Sequence, residues 1–137
     1  MKPAELKKHL VAEGFQVFRT LGSQIQLAER VRDNLVMDSG IAIVCGNALS
    51  LRVTFRAHAR DFPKEEQEAL LGRARKLMAA GPDGYEEVEH SVVPISDPGA
   101  PDSQIDTCYE VTFERANVAL ADLSAELKAL LQSKRSA

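Results

Sequence analysis

The chain has 137 residues, of which 45% are hydrophobic and 27% charged, with a formal net charge of −3. That length suits one domain, and it lets roughly two-thirds of the unfolded surface be buried, so folding requires neither a disulfide nor a metal. The acidic balance argues against nucleic acid as the main partner, because neutralising phosphates takes a surplus of Lys and Arg.

The N-terminal run MKPAELKKHLVAEG lacks the continuous apolar stretch of a signal peptide. No window approaches the roughly 18 apolar residues of a membrane span. A cytosolic protein without a membrane partner is expected. Cys45 and Cys108 are far apart in sequence, each in an apolar run. Unpaired cysteines behave as small hydrophobes, so two free core thiols are expected. Two cysteines alone do not establish a disulfide.

Residues Pro3–Glu13 read as a short helix with Leu6, Leu10 and Val11 on one face, Pro3 in its first turn and Gly14 at its end. Phe15–Thr20 reads as a strand. Ser23–Met37 is open to two readings. Leu27, Val31 and Leu35 recur at helical spacing behind an S-x-x-Q capping box at Ser23 and Gln26. Alternatively, Gln24–Val31 pairs back on the preceding strand through Leu21-Gly22. The hairpin is favoured, because it satisfies both strands locally. Asp38-Ser39-Gly40 reads as a turn.

Ile41–Cys45 reads as a short apolar strand. Gly46-Asn47 is a hairpin signal leading into Leu49–Arg60, which alternates without a break. Leu49, Leu51, Val53, Phe55, Ala57 and Ala59 point one way. Ser50, Arg52, Thr54, Arg56, His58 and Arg60 point the other. A period of two means a strand with one buried and one wet face.

Pro63–Ala80 reads as a helix with Pro63 at its start. Glu65, Glu66 and Glu68 lie in its first half, and Arg73, Arg75 and Lys76 in its second, as the macrodipole prefers. Its buried stripe is expected at Leu70, Ala74, Leu77 and Met78, with Gly81-Pro82 as the stop. Tyr85–Ile95 and Thr107–Arg115 read as strands, and the Pro- and Asp-rich Ser96–Asp106 between them as a solvated loop. Val118–Ser133 is the closing helix.

The expected fold is therefore α+β. A single antiparallel sheet of about five or six strands packs against helices, in the order α-β-β-β-β-α-β-β-α, over one domain spanning residues 1–137. This element order, with the chain's size and mild acidity, is similar in outline to the small chaperones of bacterial type III secretion. The similarity is one of outline, with no motif matched residue by residue, and it implies a protein-binding role.

Chemistry in view is sparse. Arg52, Arg56, His58 and Arg60 make a basic row that could grip an anion or an acidic partner, since arginine presents a bidentate fork. The competing reading is a solvated face with cross-strand ion pairs from Glu87, Glu89, Glu110 and Glu114. The three histidines, His9, His58 and His90, form no close-spaced ligand pair, so no metal is expected. Asp97, Asp102 and Asp106 do not follow the calcium-loop pattern. There is no G-x-S-x-G elbow and no glycine-rich phosphate loop, and no cofactor is implied. A Cys108–His90 pair across the last two strands is conceivable, with an inert buried thiol the better reading. Leu120, Leu123, Leu127 and Leu130 form a row suited either to core packing or to a helix seam between two copies, with core packing favoured.

The expectation is a non-enzymatic, cytosolic protein-binding or adaptor module with an unidentified protein partner and a homodimer as an option. The alternative is a binder of, or an enzyme acting on, a small anionic ligand through the arginine face. A deep pocket over that face would favour the small ligand, and a flat or groove-like face a partner chain.

Overall fold

A computed structural model describes residues 1–32, 35–61, 67–80 and 84–135. The elements run α1 (Pro3–Ala12), β1 (Val17–Leu21), β2 (Gln24–Arg32), β3 (Leu35–Val44), β4 (Leu49–His58), a 3-10 turn (Ala59–Asp61), α2 (Gln67–Ala80), β5 (Glu86–Asp97), β6 (Ala100–Val118) and α3 (Leu120–Arg135). The six strands form one antiparallel sheet in the order β1-β2-β3-β4-β6-β5. This is the α+β architecture that the hydrophobic periodicity implies.

Alternation decides which residues become core. Ile25 and Leu27 on β2, Ile41 and Ile43 on β3, Leu51 and Val53 on β4, and Val111 and Phe113 on β6 are buried on one face. The same cluster takes Leu6 and Leu10 from α1, Leu71, Ala74 and Met78 from α2, and Leu123, Leu127 and Leu130 from α3. Among the described residues, α1, α2 and α3 therefore all pack on one face of the sheet, and the other face carries no helix. Phe55, half-buried, meets Phe113 edge-on, with ring centroids 6.1 Å apart. Gly14 (φ 92) closes α1, its N–H donating to the Val11 carbonyl and that of Phe15 to the Leu10 carbonyl.

The hairpin favoured over a helix within Ser23–Met37 is what forms: β2 (Gln24–Arg32) pairs with β1 through the Gly22 turn. Several other sequence readings need correction. Asp38-Ser39-Gly40 is not a turn but a bulge inside β3. Ala28 of β2 stands opposite Asp38 and Gln26 opposite Ala42, so one residue of β2 faces three of β3. The last two residues of the alternating run, Ala59 and Arg60, leave the strand for the 3-10 turn. Ser96–Asp106 is not a loop: Ser96 and Asp97 end β5, and β6 begins at Ala100, the reversal held by Gly99 N–H donating to Asp97 Oδ1 at 2.9 Å. On α2, Leu71 takes a core place and Leu77 is half-buried, while Pro63 and Gly81-Pro82 lie outside the described residues. Among the described residues, no helix is long and apolar enough to cross a membrane.

Candidate functional site

The basic row lies on the helix-free face, where the β4–β6 register brings each member to a partner. Arg52 stands opposite Glu114, Thr54 opposite Thr112, Arg56 opposite Glu110, and His58 opposite Cys108. Arg52 Nε donates to Glu114 Oε2 at 2.8 Å, and Arg56 Nε to Glu110 Oε1 at 2.9 Å. The Thr54 and Thr112 hydroxyls meet at 3.0 Å between the two ion pairs. Two guanidinium charges are thus answered on the sheet itself. Arg60 is not on the ladder: it sits in the 3-10 turn with its side chain exposed.

His58 has a different partner. Its Nδ1 lies 2.9 Å from Asp106 Oδ2, while Asp106 Oδ1 accepts the backbone N–H groups of Arg60 at 2.9 Å and Thr107 at 2.8 Å. Desolvation pushes the Asp106 carboxyl up, but the two backbone donors and His58 outweigh it and hold the group below the ordinary carboxylate range. An ionised carboxylate only accepts, so His58 Nδ1–H donates to it. Asp106 thereby ties the base of the β5–β6 hairpin to the end of β4.

Of the other acidic candidates, Glu87 faces the helices and binds Arg75 of α2, its carboxylate 2.7 Å from Nε. That hydrogen bond holds Glu87 below the ordinary carboxylate range. Glu89 stays on the open face near Arg52 and Arg56, lining a shallow groove of about 200 Å³ with Gln24 and Gln26. A larger cleft, of about 530 Å³, adjoins it where β3 and β4 separate. The sequence reading missed this cleft and the apolar Phe18, Val36 and Met37 along it. Its one sequence signal is Gly40, which looks the same in a bulge as in a turn.

Comparison with protein-family models, curated proteins and solved structures finds no match to this chain. The site therefore has to be read from its own chemistry.

Cys108 and His90 are not brought together. His90 stands opposite Val111 and beside Glu87 on the helix side, whereas Cys108 alternates onto the open face. Cys108 does have His58 as its cross-strand neighbour. Burial and the charge of Glu110 push its thiol up, so it is held neutral, the opposite of what a nucleophile needs. Cys45 is likewise free and buried, and its thiol is also raised by burial. Among the described residues, no group of three or more His, Cys, Asp or Glu side chains could hold a metal ion. Of the leucine row, Leu123, Leu127 and Leu130 are buried within the chain, and Leu120 is 37% exposed.

A second polar cluster joins α3 to the sheet. Tyr85 Oη donates to Glu126 Oε1 at 3.0 Å, and Arg115 pairs with the same oxygen. Burial, then the hydrogen bond and charge of Glu126, push the Tyr85 phenol far up, so it stays a proton donor at any ordinary pH. This cluster fastens a helix to the sheet and faces neither groove.

Proposed function

We propose that this chain is a non-enzymatic binding module that takes an extended segment of another protein on its helix-free sheet face. One observation carries the reading: among the described residues, the helices pack on one face of the sheet and the other face carries a groove and an open cleft. Small-molecule sites are typically enclosed and roughly 300–1,000 Å³; the groove over the arginines is smaller, and the cleft beside it, about 530 Å³, is open to solvent. Arg52 and Arg56 already have their charges answered by Glu114 and Glu110, which weakens the pull of this face on a free anion. The net charge of −3 disfavours nucleic acid. Two buried, unbridged thiols suit a reducing compartment such as the cytoplasm.

The test is direct. Random linear peptides displayed on phage are selected against the immobilised full chain, and melting is followed with millimolar phosphate, citrate and ATP in parallel. The expected result is recovery of linear peptides that raise the melting temperature, with no anion doing so beyond an ionic-strength control. An anion that stabilises the wild type but not Arg56→Ala would overturn this reading in favour of a small anionic ligand.

A further inference from the structure

We infer that the fork between β3 and β4 is a strand-addition site. An extended, uncharged peptide segment of the partner pairs its backbone with β4 along Arg56–His58 and sets apolar side chains against Phe18, Val36 and Met37. The inference deepens the binding reading above and rests on it.

The fork follows from the register. The β3–β4 ladder runs from Val44 opposite Ser50 to Ile41 opposite Val53 and stops there. β3 nevertheless begins at Leu35, and β4 continues to His58. Past Val53, β4 is paired with β6 on one side. Among the described residues, no strand lies against Arg56, Ala57 and His58 on the other side. Successive residues of a strand aim their N–H and C=O groups to alternate sides, so part of this stretch presents main-chain donors and acceptors to the cleft. A strand edge of this kind is a template for another chain.

The fork cannot simply zip closed, because the bulge that opens it is anchored. Gly40 has φ 80, and its N–H donates to Asp38 Oδ1 at 2.9 Å. The buried Ser39 Oγ donates to the Leu27 carbonyl at 2.8 Å and accepts from Ile41 N–H at 3.2 Å. Bulges commonly end pairing and re-aim a strand in this way. The opening is therefore preformed, which lowers the ordering cost of binding.

The lining indicates the occupant. Phe18 is 41% exposed and Met37 50%, and both border the cleft with the half-buried Val36. Of the charged side chains that line it, Arg56 and His58 are engaged by Glu110 and Asp106, Asp38 accepts the Gly40 N–H, and Glu29 also has an interaction of its own. The partner segment thus needs no charge. It needs main-chain groups on one side and apolar side chains at alternate positions. At about 3.3 Å per residue, the run from Arg56 to His58 accommodates roughly three residues of an added strand.

The probe is a peptide recovered from the random linear library, synthesised as selected and also with N-methylated backbone at alternate residues. The expected result is a peptide with alternating apolar residues that slows amide exchange at cleft-facing positions within Arg56–His58. Met37→Asp should weaken it about tenfold or more, as loss of a central apolar contact does, while Glu114→Ala leaves affinity unchanged. N-methylation in one of the two alternate phases should abolish binding, a readout that stands even if Met37→Asp misfolds. Peptides that bind while protecting other strands and tolerating Met37→Asp and both methylation phases would overturn the strand-addition site but leave the binding reading intact. Failure to recover any peptide would overturn both. Concentration-dependent self-association abolished by Met37→Asp would assign the fork to a second copy of this chain and overturn the partner proposed here.

Discussion

Ser39→Ala is the sharpest test of how the sheet is built. Ser39 is 3% exposed, and its hydroxyl joins the Leu27 carbonyl of β2 to the Ile41 N–H of β3. Truncation to alanine leaves both main-chain groups buried without that partner. A stranded buried group costs about 1–3 kcal/mol, so the two together should cost about 2–6 kcal/mol. That is a large fraction of the roughly 5–15 kcal/mol that holds a native domain. For a chain of this size it corresponds to a fall on the order of 10 °C in melting temperature. Urea unfolding followed by circular dichroism should show a lower midpoint with an unchanged slope, meaning lost stability without a change in compactness. Ser39→Thr, which keeps the hydroxyl, should recover part of the loss. Ser50→Ala on the open face should stay within about 0.5 kcal/mol of wild type. If Ser39→Ala also loses less than about 0.5 kcal/mol, the hydroxyl does not anchor the bulge and the fork is not preformed.

Three further outcomes follow from the same geometry. Leu127→Ala should cost about 2–5 kcal/mol with no change in solution mass, since Leu127 is fully buried in the chain's own core; a folded variant of altered mass would make α3 an assembly surface. Arg52→Ala combined with Arg56→Ala should cost only about 1 kcal/mol, because cross-strand pairs exposed to this degree are weak. Phe55→Ala should cost about 3 kcal/mol by calorimetry, and a reversed ranking would refute the assignment of faces. The Asp106 carboxyl is lowered on folding, so the unfolded chain takes up its proton first and acid favours unfolding. Its contribution is present above about pH 4 and lost as pH falls through its lowered value. Asp106→Asn should therefore show a shallower drop in melting temperature across that acid range, and an unchanged profile would count against the His58–Asp106 tie.

The uninterrupted alternation of Leu49–His58 specified β4, and with it which side of the sheet is core and which carries Arg52 and Arg56. Helical spacing likewise specified α3 and its buried leucines, and Gly46-Asn47 the hairpin before β4. These are local periodicities, and a side-chain period records the direction of burial wherever one face is buried. Where neither face is buried the record is missing. Pro101–Ile105 is exposed throughout and owes its place in β6 to main-chain pairing with β5, so its composition reads as loop. Asp38-Ser39-Gly40 offers an Asx cap and a positive-φ glycine, which serve a turn and a bulge equally. Only the pairing of β2 on both sides of it made it a bulge. Which glutamate answers which arginine is a matter of register between strands 54 to 62 residues apart. Tertiary structure also decided that Asp106 would reach His58, and that β3 and β4 would part at Val53. Such contacts depend on which distant backbone lies alongside, and no local period of side chains encodes that.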